Sequence, residues 1–293
     1  MGPKVSVVIS TYNQEDLIGQ AVGSAIEQAV DFELEILVGD DCSTDSTRLI
    51  VEELAGRHPE TIKLLKADSN MGSQRNFTRL INACSGEYVA LLDGDDFWTG
   101  TDKLAKQVAY MEANPGCAIS YHNVSFLHDD PSVVPAAYKT PYPGVSSIDD
   151  LLLGNYIHSC SVMYRRSFLP RLPDWFADAG FGDYPLLILV AKNGWIGHLD
   201  EVLGTYRVHA GSSWALRDYA ERVQITADVM ESVAAELSVS QQQQLACGSA
   251  AMLCNAAAQL EARGESDRAR TFLQRADRLL DDAGIGHPHE QSS

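Results

Sequence analysis

Two carboxylates stand two positions apart at Asp93-Gly94-Asp95, directly after the apolar run Tyr88–Leu92. Hard oxygen donors at that spacing suit Mg²⁺ or Mn²⁺, which take one or two protein carboxylates and leave places for phosphates and water. The intervening glycine lets a ligand come close to the backbone. An acidic turn capping the helix near Thr101 accounts for the same residues with no chemistry, and the triplet alone leaves both readings open. Asp40-Asp41 repeats the arrangement after an earlier apolar run. A carboxylate there can accept from the N–H of a base such as uracil or from ribose hydroxyls, or it can order the following turn through Asx-type bonds. Tyr12 offers a ring for a base to stack on, or is an ordinary aromatic at a strand end. Arg75 offers a charge-assisted donor to a phosphate, or is an exposed arginine with no task.

These residues need a scaffold that brings them together, and the first hundred positions describe one. Val5–Ser10 is a short continuous apolar run, as in a strand buried on both faces. Leu17, Ile18, Ala21, Val22, Ala25 and Ile26 then recur on one helical face. Strands follow at Leu34–Val38, Ile62–Leu65 and Tyr88–Leu92. Ser43 or Thr44 is placed to cap a helix carrying Leu49, Ile50 and Leu54, and another helix runs from the Asn70-Met71-Gly72 turn to about Cys84. Strand–loop–helix repeats of this kind predict an open, mostly parallel α/β sheet flanked by helices. Its ligands belong beyond the carboxyl ends of the strands, where segments 11–13, 40–43 and 93–96 all fall.

Farther on, the spacing predicts a helix over 102–113, a strand at Ala118–Tyr121 and an irregular loop over 129–147. A short helix at 149–153, a strand at Cys160–Tyr164 and a helix from Asp183 to about Asn193 follow. Beyond 215 only helical periods remain, at 217–237, 240–262 and 266–281, with Gln241–Gln244 on an exposed face and a disordered tail from Gly284. The expected division is 1–215, with halves 1–113 and 114–215, then an all-helical C-terminal region at 216–283 and the tail 284–293.

Composition sets the limits. Of 293 residues 45% are hydrophobic and 21% charged, the balance of a globular chain. Lys+Arg 22 against Asp+Glu 40 gives a net charge of −18, which argues against nucleic acid or an anionic membrane as a general partner. Phosphates can then be held only through a metal, backbone amides or a few placed cations. The six cysteines contain no C-x-x-C pair, so most are expected to be small buried residues in a reducing compartment. The start lacks a signal-peptide pattern, and Leu186–Ala191 is too short to span a bilayer. The expected location is cytoplasmic, with a peripheral position at the inner membrane face as a variant.

Four segments in order, Val5-Ser-Val-Val-Ile-Ser-Thr-Tyr-Asn13, Val38-Gly-Asp-Asp-Cys-Ser-Thr-Asp45, Asn70-Met-Gly72 and Gly86-Glu-Tyr-Val-Ala-Leu-Leu-Asp-Gly-Asp-Asp96, resemble glycosyltransferase family 2. The likeness is close over residues 4–113 and thinner to about 213. Cys42 stands where the family commonly has Gly or Asn. The resemblance implies a GT-A fold, a nucleotide-sugar donor with UDP favoured over dTDP and GDP, and an inverting transfer that uses Mn²⁺ or Mg²⁺. It implies that Thr11, Tyr12 and Asn13 line the nucleoside pocket, that Asp40 meets the base edge and that Arg75 contacts the nucleotide. Asp93 and Gly94 would lie by the ribose or metal, and Asp95 would be the metal ligand of a D-x-D motif.

Phe181-Gly-Asp-Tyr-Pro185 resembles the family's acidic pair opening a helix, with Gly182 in place of the first acid. This implies Asp183 as general base; the same residue is also a good N-cap, and Asp178 is its nearest competitor. Tyr206-Arg-Val-His-Ala-Gly-Ser-Ser213 resembles a segment that places His209 at the diphosphate and metal. Ser159–Arg166 resembles the strand beneath the acceptor pocket. The implied acceptor is a hydroxyl of a saccharide, a lipid-linked or a small-molecule compound, and the helical C-terminal region offers a face for a homodimer. A sugar-nucleotide pyrophosphorylase is disfavoured because Ser10-Thr-Tyr-Asn-Gln14 lacks a Gly-rich basic loop. A processive synthase lacks its Q-x-x-R-W segment here. A non-catalytic scaffold working through the helical tail, where one hairpin around Gly264 is faintly tetratricopeptide-like, is the alternative of a different class.

Overall fold

The computed structural model describes residues 2–130, 132, 136–142, 144–209, 211, 212, 214 and 217–285. The first apolar run is strand β1 (Val5–Thr11), buried on both faces as a central parallel strand should be. Strands β2 (Leu34–Asp40), β3 (Ile62–Lys66) and β4 (Tyr88–Asp93) join it in the order β3-β2-β1-β4, all parallel. Parallel neighbours need crossovers, which helices α1 (Ile18–Ile26), α2 (Thr47–Arg57) and α3 (Ser73–Ala83) supply. Register decides what meets at the edge: Thr11 lies opposite Asp40, and Ser10 opposite Asp93. The polar segments after β1, β2 and β4 therefore leave the sheet at one level. Val7, Ile9, Ile36, Val38 and Leu92 fill the core behind them.

The second half of the sheet departs further from expectation. Strand β5 (Phe97–Trp98) and helix α4 (Lys103–Ala113) lead to β6 (Cys117–His128), which is 12 residues long rather than four. The segment 129–147, expected to be irregular, contains strands β7 (Ala136–Tyr138) and β8 (Val145–Ser146). After α5 (Ile148–Leu152), the strand expected at 160–164 is instead a 3₁₀ turn at Ser159–Ser161 followed by β9 (Met163–Arg165). Helix α6 (Asp183–Ala191) then precedes β10 (Trp195–Val208), a 14-residue strand with no counterpart in the sequence reading. Gly197, Asp200-Glu201 and Gly204 interrupt its apolar residues, and its register with β6 shifts at three places. Those bulges erase the alternation by which a strand is recognised. The full order is β3-β2-β1-β4-β9-β6-β10-β5, with β9 antiparallel to both neighbours.

The chain divides into two compact units, 1–147 with 156–209, and 148–155 with 210–293. The second contains α5, α7 (Tyr219–Ala234), α8 (Val239–Ala262) and α9 (Ser266–Asp282). Its core joins Val223 and Ala227, Leu253, Ala256 and Leu260, and Ala269 and Phe272. The Gln241–Gln244 run is half-buried at three of its four positions and works as a set of ties. Gln242 donates to the carbonyls of Ala234 and Leu237, Gln243 to that of Ala283, and Gln244 to that of Asp149. From residue 286 the expected tail lies outside the described residues. No helix among the described residues is long and apolar enough to cross a membrane. Cys84, Cys117 and Cys160 are buried, but Cys247 and Cys254 are exposed and Cys42 is intermediate, so burial explains half of the cysteines.

Candidate active site

Asp93 ends β4, and the chain turns sharply after it. A Cβ on Gly94 would collide with Gln14 Oε1 and lie 3.0 Å from Ser10 O, so Gln14 would have to move for any larger residue to sit against the end of β1. Ser159 Oγ donates to Asp93 Oδ2 at 2.5 Å. His209 Nε2 lies 2.9 Å from Asp95 Oδ2, brought there at the end of β10. Asp96, given no role from sequence, is buried; one oxygen accepts the Arg207 N–H at 2.8 Å, the other is without a close hydrogen-bond partner among the described residues, and the Cys160 thiol lies beside the carboxyl. A third acid within four residues of a buried strand's end was the available signal for it.

The charges here strain against one another. Burial, then Asp95, and more weakly Asp183, push the Asp93 carboxyl well up, against the Ser159 hydrogen bond. Burial pushes Asp96 up further, with Asp93 and Asp95 adding to it. The Tyr206 hydroxyl is raised by burial and then by Asp96, Asp93, Asp95 and Asp183. Four carboxylates around one tyrosine make a site that favours a cation. Among the described residues no group of three His, Cys, Asp or Glu side chains forms a ready cage. Asp95 and His209 are two donors of a type that Mg²⁺ or Mn²⁺ accepts, and such an ion would need further oxygen donors from phosphate or water. With the buried Asp96 carboxyl close by in sequence, the donor chemistry fits such an ion.

Asp183 is the first residue of α6, and Gly182 occupies the N-cap. The capping reading of Asp183 is therefore corrected. Burial raises its carboxyl, while N–H groups of the helix start pull the other way. A Cβ on Gly182 would sit 2.5 Å from Gln74 Oε1 and 2.6 Å from Phe77, which leaves no room for an acidic side chain there. Asp178, the competing carboxylate, is paired with Arg75 at 2.7 Å on an exposed face.

The loops after β1 and β2 are sewn together. Asn13, at φ 50°, accepts the Thr44 N–H at 2.8 Å, and its own N–H donates to Ser43 Oγ at 3.0 Å. Ser43 and Thr44 are thus loop ties rather than helix caps; α2 starts at Thr47 with Ser46 as N-cap. Asp41 accepts from the Met71 and Gly72 N–H groups at 2.8 and 2.9 Å and fixes the turn before α3, which is the turn-ordering reading. Asp40 is a correction. It is fully buried, and its oxygens are taken by the Ser43 N–H at 3.2 Å and the Arg48 guanidinium at 2.6 Å, so no edge is offered to a base. Thr11 is buried and donates to Gln14, whereas Tyr12 is 44% exposed and free to stack. Arg75 keeps its reach, because an exposed ion pair is worth at most about 1 kcal/mol and yields to a stronger anion.

Fold and site together define a class, and comparison with known proteins agrees with it. Residues 6–170, more than half of the chain, match the family model described as Glycosyl transferase family 2. The chain belongs to glycosyl transferase family 2. An uncharacterized protein of Mycobacterium tuberculosis is 35% identical over 215 residues, which cover 72% of this chain and 60% of that protein. The chain thus matches about three-fifths of the length of that relative. The Escherichia coli UDP-Glc:alpha-D-GlcNAc-diphosphoundecaprenol beta-1,3-glucosyltransferase WfaP is 29% identical over 209 residues, 71% of this chain and 78% of WfaP. Among solved structures, S. aureus TarS 1-349 has a TM-score of 0.63 at 18% identity, covering 94% of this chain and 91% of TarS. The mannosyltransferase PcManGT of Pyrobaculum calidifontis, in complex with GDP-Man and Mn²⁺, has a TM-score of 0.59 at 21% identity, covering 96% and 86%. At such identities the likeness speaks for the fold, a GT-A type α/β sheet with C-terminal helices.

Proposed function

We propose that the chain is an inverting glycosyltransferase that moves a sugar from a nucleoside diphosphate, UDP in first place, to an acceptor hydroxyl. The observation that carries this reading is the meeting, past the end of β4, of Asp93 held by Ser159 and Asp95 paired with His209 from the end of β10, with Asp183 acting on the same charges. The printed names of relatives support the donor class: WfaP uses UDP-Glc, TarS is known in complex with UDP-GlcNAc, and PcManGT with GDP-Man.

Thr11 and Tyr12 receive the nucleoside, with the exposed Tyr12 ring as the stacking surface, and Arg75 turns from Asp178 to the diphosphate. Asp95 and His209 hold Mn²⁺ or Mg²⁺, which when bound supplies positive charge to the departing diphosphate. The acceptor oxygen attacks the anomeric carbon from the side opposite the diphosphate, and the carbon–oxygen bond to the diphosphate breaks. Asp183 takes the acceptor proton, and its raised affinity for protons makes it a better base than a free carboxylate. Ser159 keeps the Asp93 carboxyl oriented. Asp183→Asn is expected to lower kcat by roughly 10²–10⁴-fold with donor Kd unchanged, read from steady-state transfer and from UDP titration. Loss of donor affinity equal to the loss of rate would contradict the base assignment.

A further inference from the structure

Near their ends β6 and β10 place Phe126 opposite Tyr206, and β7 lays Tyr138 against β6. His158 completes a cluster of four rings: centroids lie 5.8 Å apart for Phe126–Tyr206, 5.2 Å for Phe126–His158, 4.7 Å for Tyr138–His158 and 5.4 Å for His158–Tyr206. Rings serving only as core would be sealed, yet all four are half-buried. Among the described residues, neither tyrosine hydroxyl and neither His158 nitrogen makes a hydrogen bond. The cluster also borders the reacting groups. Ser159, next to His158 in the chain, donates to Asp93, and Tyr206 lies within the field of Asp93, Asp95, Asp96 and Asp183.

Apolar ring faces with unpaired polar tips, beside several carboxylates, select a particular chemistry. An alkyl chain would bury those tips without partners, at a cost. An anionic acceptor would be repelled by the carboxylates. A neutral pyranose offers C–H faces to the rings and a rim of hydroxyls to the tips, the combination that small-molecule pockets use for orientation. We infer that Phe126, Tyr138, His158 and Tyr206 form an acceptor subsite for a neutral pyranose. The inference rests on the transferase reading above and names the substrate class of its second half.

Saturation-transfer NMR on the full chain with UDP and Mg²⁺ tests it. The probes are the methyl β-glycosides of glucose, galactose and N-acetylglucosamine, with glycerol 3-phosphate and hexanol as controls, on wild type, Tyr138→Ser and Tyr206→Phe. The expected result is transfer to the ring protons of at least one glycoside above both controls, falling roughly fivefold in Tyr138→Ser with the UDP signal unchanged. If Tyr138→Ser also loses UDP, its fold has failed, and Tyr206→Phe, which removes one hydroxyl only, decides by weakening the glycoside signal or not. Glycosides no better than the controls, or unaffected in both variants while UDP still binds, would overturn the subsite. No UDP signal in wild type would overturn the donor reading itself and the inference with it.

Discussion

Cys42 holds its backbone at φ 62°, in the left-handed region where a side chain with a Cβ is disfavoured. Its thiol makes a long contact, Sγ to the Asp68 carbonyl at 3.9 Å, and lies beside the Arg48 guanidinium. Cys42→Gly is therefore expected to stabilise the chain by about 0.5–1 kcal/mol, read as a higher urea midpoint; a lower midpoint would mean that the thiol packing outweighs the strain. The same residue shows what single positions reveal. The family resemblance marked a position that commonly holds Gly or Asn, but the neighbouring residues did not show that the turn is left-handed. Asp93, Asp95 and Asp183 were legible as acids in sequence, two after a strand and one opening a helix. Asp40 was misread because its partner, Arg48, stands on the next helix, and an ion pair formed through a fold leaves no trace in local spacing. Asp96 was passed over because only burial separates it from the two acids before it.

Helix α4 carries an interior cost that no local pattern announces. Lys103 is fully buried, and its amine lies 3.9 Å over the Trp98 ring centre with no hydrogen-bond partner among the described residues. Burial pushes the amine well below its ordinary value. Lys103→Met keeps the stem and removes the stranded nitrogen, and should stabilise by about 1–3 kcal/mol. Thermal and urea unfolding check this; clear destabilisation would show that the amine has an interior partner. Elements with unbroken patterns, β1, β2, β4 and the helices α7 to α9, could be read directly. β10 could not, because its bulges with β6 and its glycines break the alternation, yet this strand delivers both Tyr206 and His209. Long-range pairing with β6 makes it a strand, and pairing of that kind is invisible to a local window.

The whole molecule is acidic, at −18, and keeps a buried and a half-buried histidine that respond to acid. Burial lowers His122 to about 3, with Lys103 adding to it, and burial lowers His158 to about 4, both from an ordinary 6.5. Their folded values lie below their unfolded ones, so the unfolded chain takes up protons first as pH falls. Stability from both is complete above about 6.5 and drains away toward 4 and then 3. Glu35 adds to this at lower pH. Burial opposes its ionisation, but Lys63, Ser6 and Ser85 prevail and lower it from 4.5 to about 2. Its contribution is present above about 4.5 and lost as pH drops toward 2. The unfolding free energy read from urea titration should fall between pH 7 and pH 5, by up to about 2 kcal/mol per histidine; a flat profile would show that the histidines are not held neutral.

The proposed donor is anionic and the molecule acidic, so the cation proposed at Asp95 is the most direct handle on the functional reading. Thermal unfolding with UDP, dTDP or GDP, each with Mn²⁺, Mg²⁺ or EDTA, on wild type and Asp95→Ala tests it. A nucleotide at a hundred times its Kd stabilises by about 2.7 kcal/mol, several degrees for a chain of this size. UDP with either metal should raise the wild-type midpoint by that amount, with the gain abolished by EDTA and missing in Asp95→Ala. No shift with any nucleotide, or a UDP shift that survives both EDTA and Asp95→Ala, would contradict a metal-dependent nucleotide-sugar transferase.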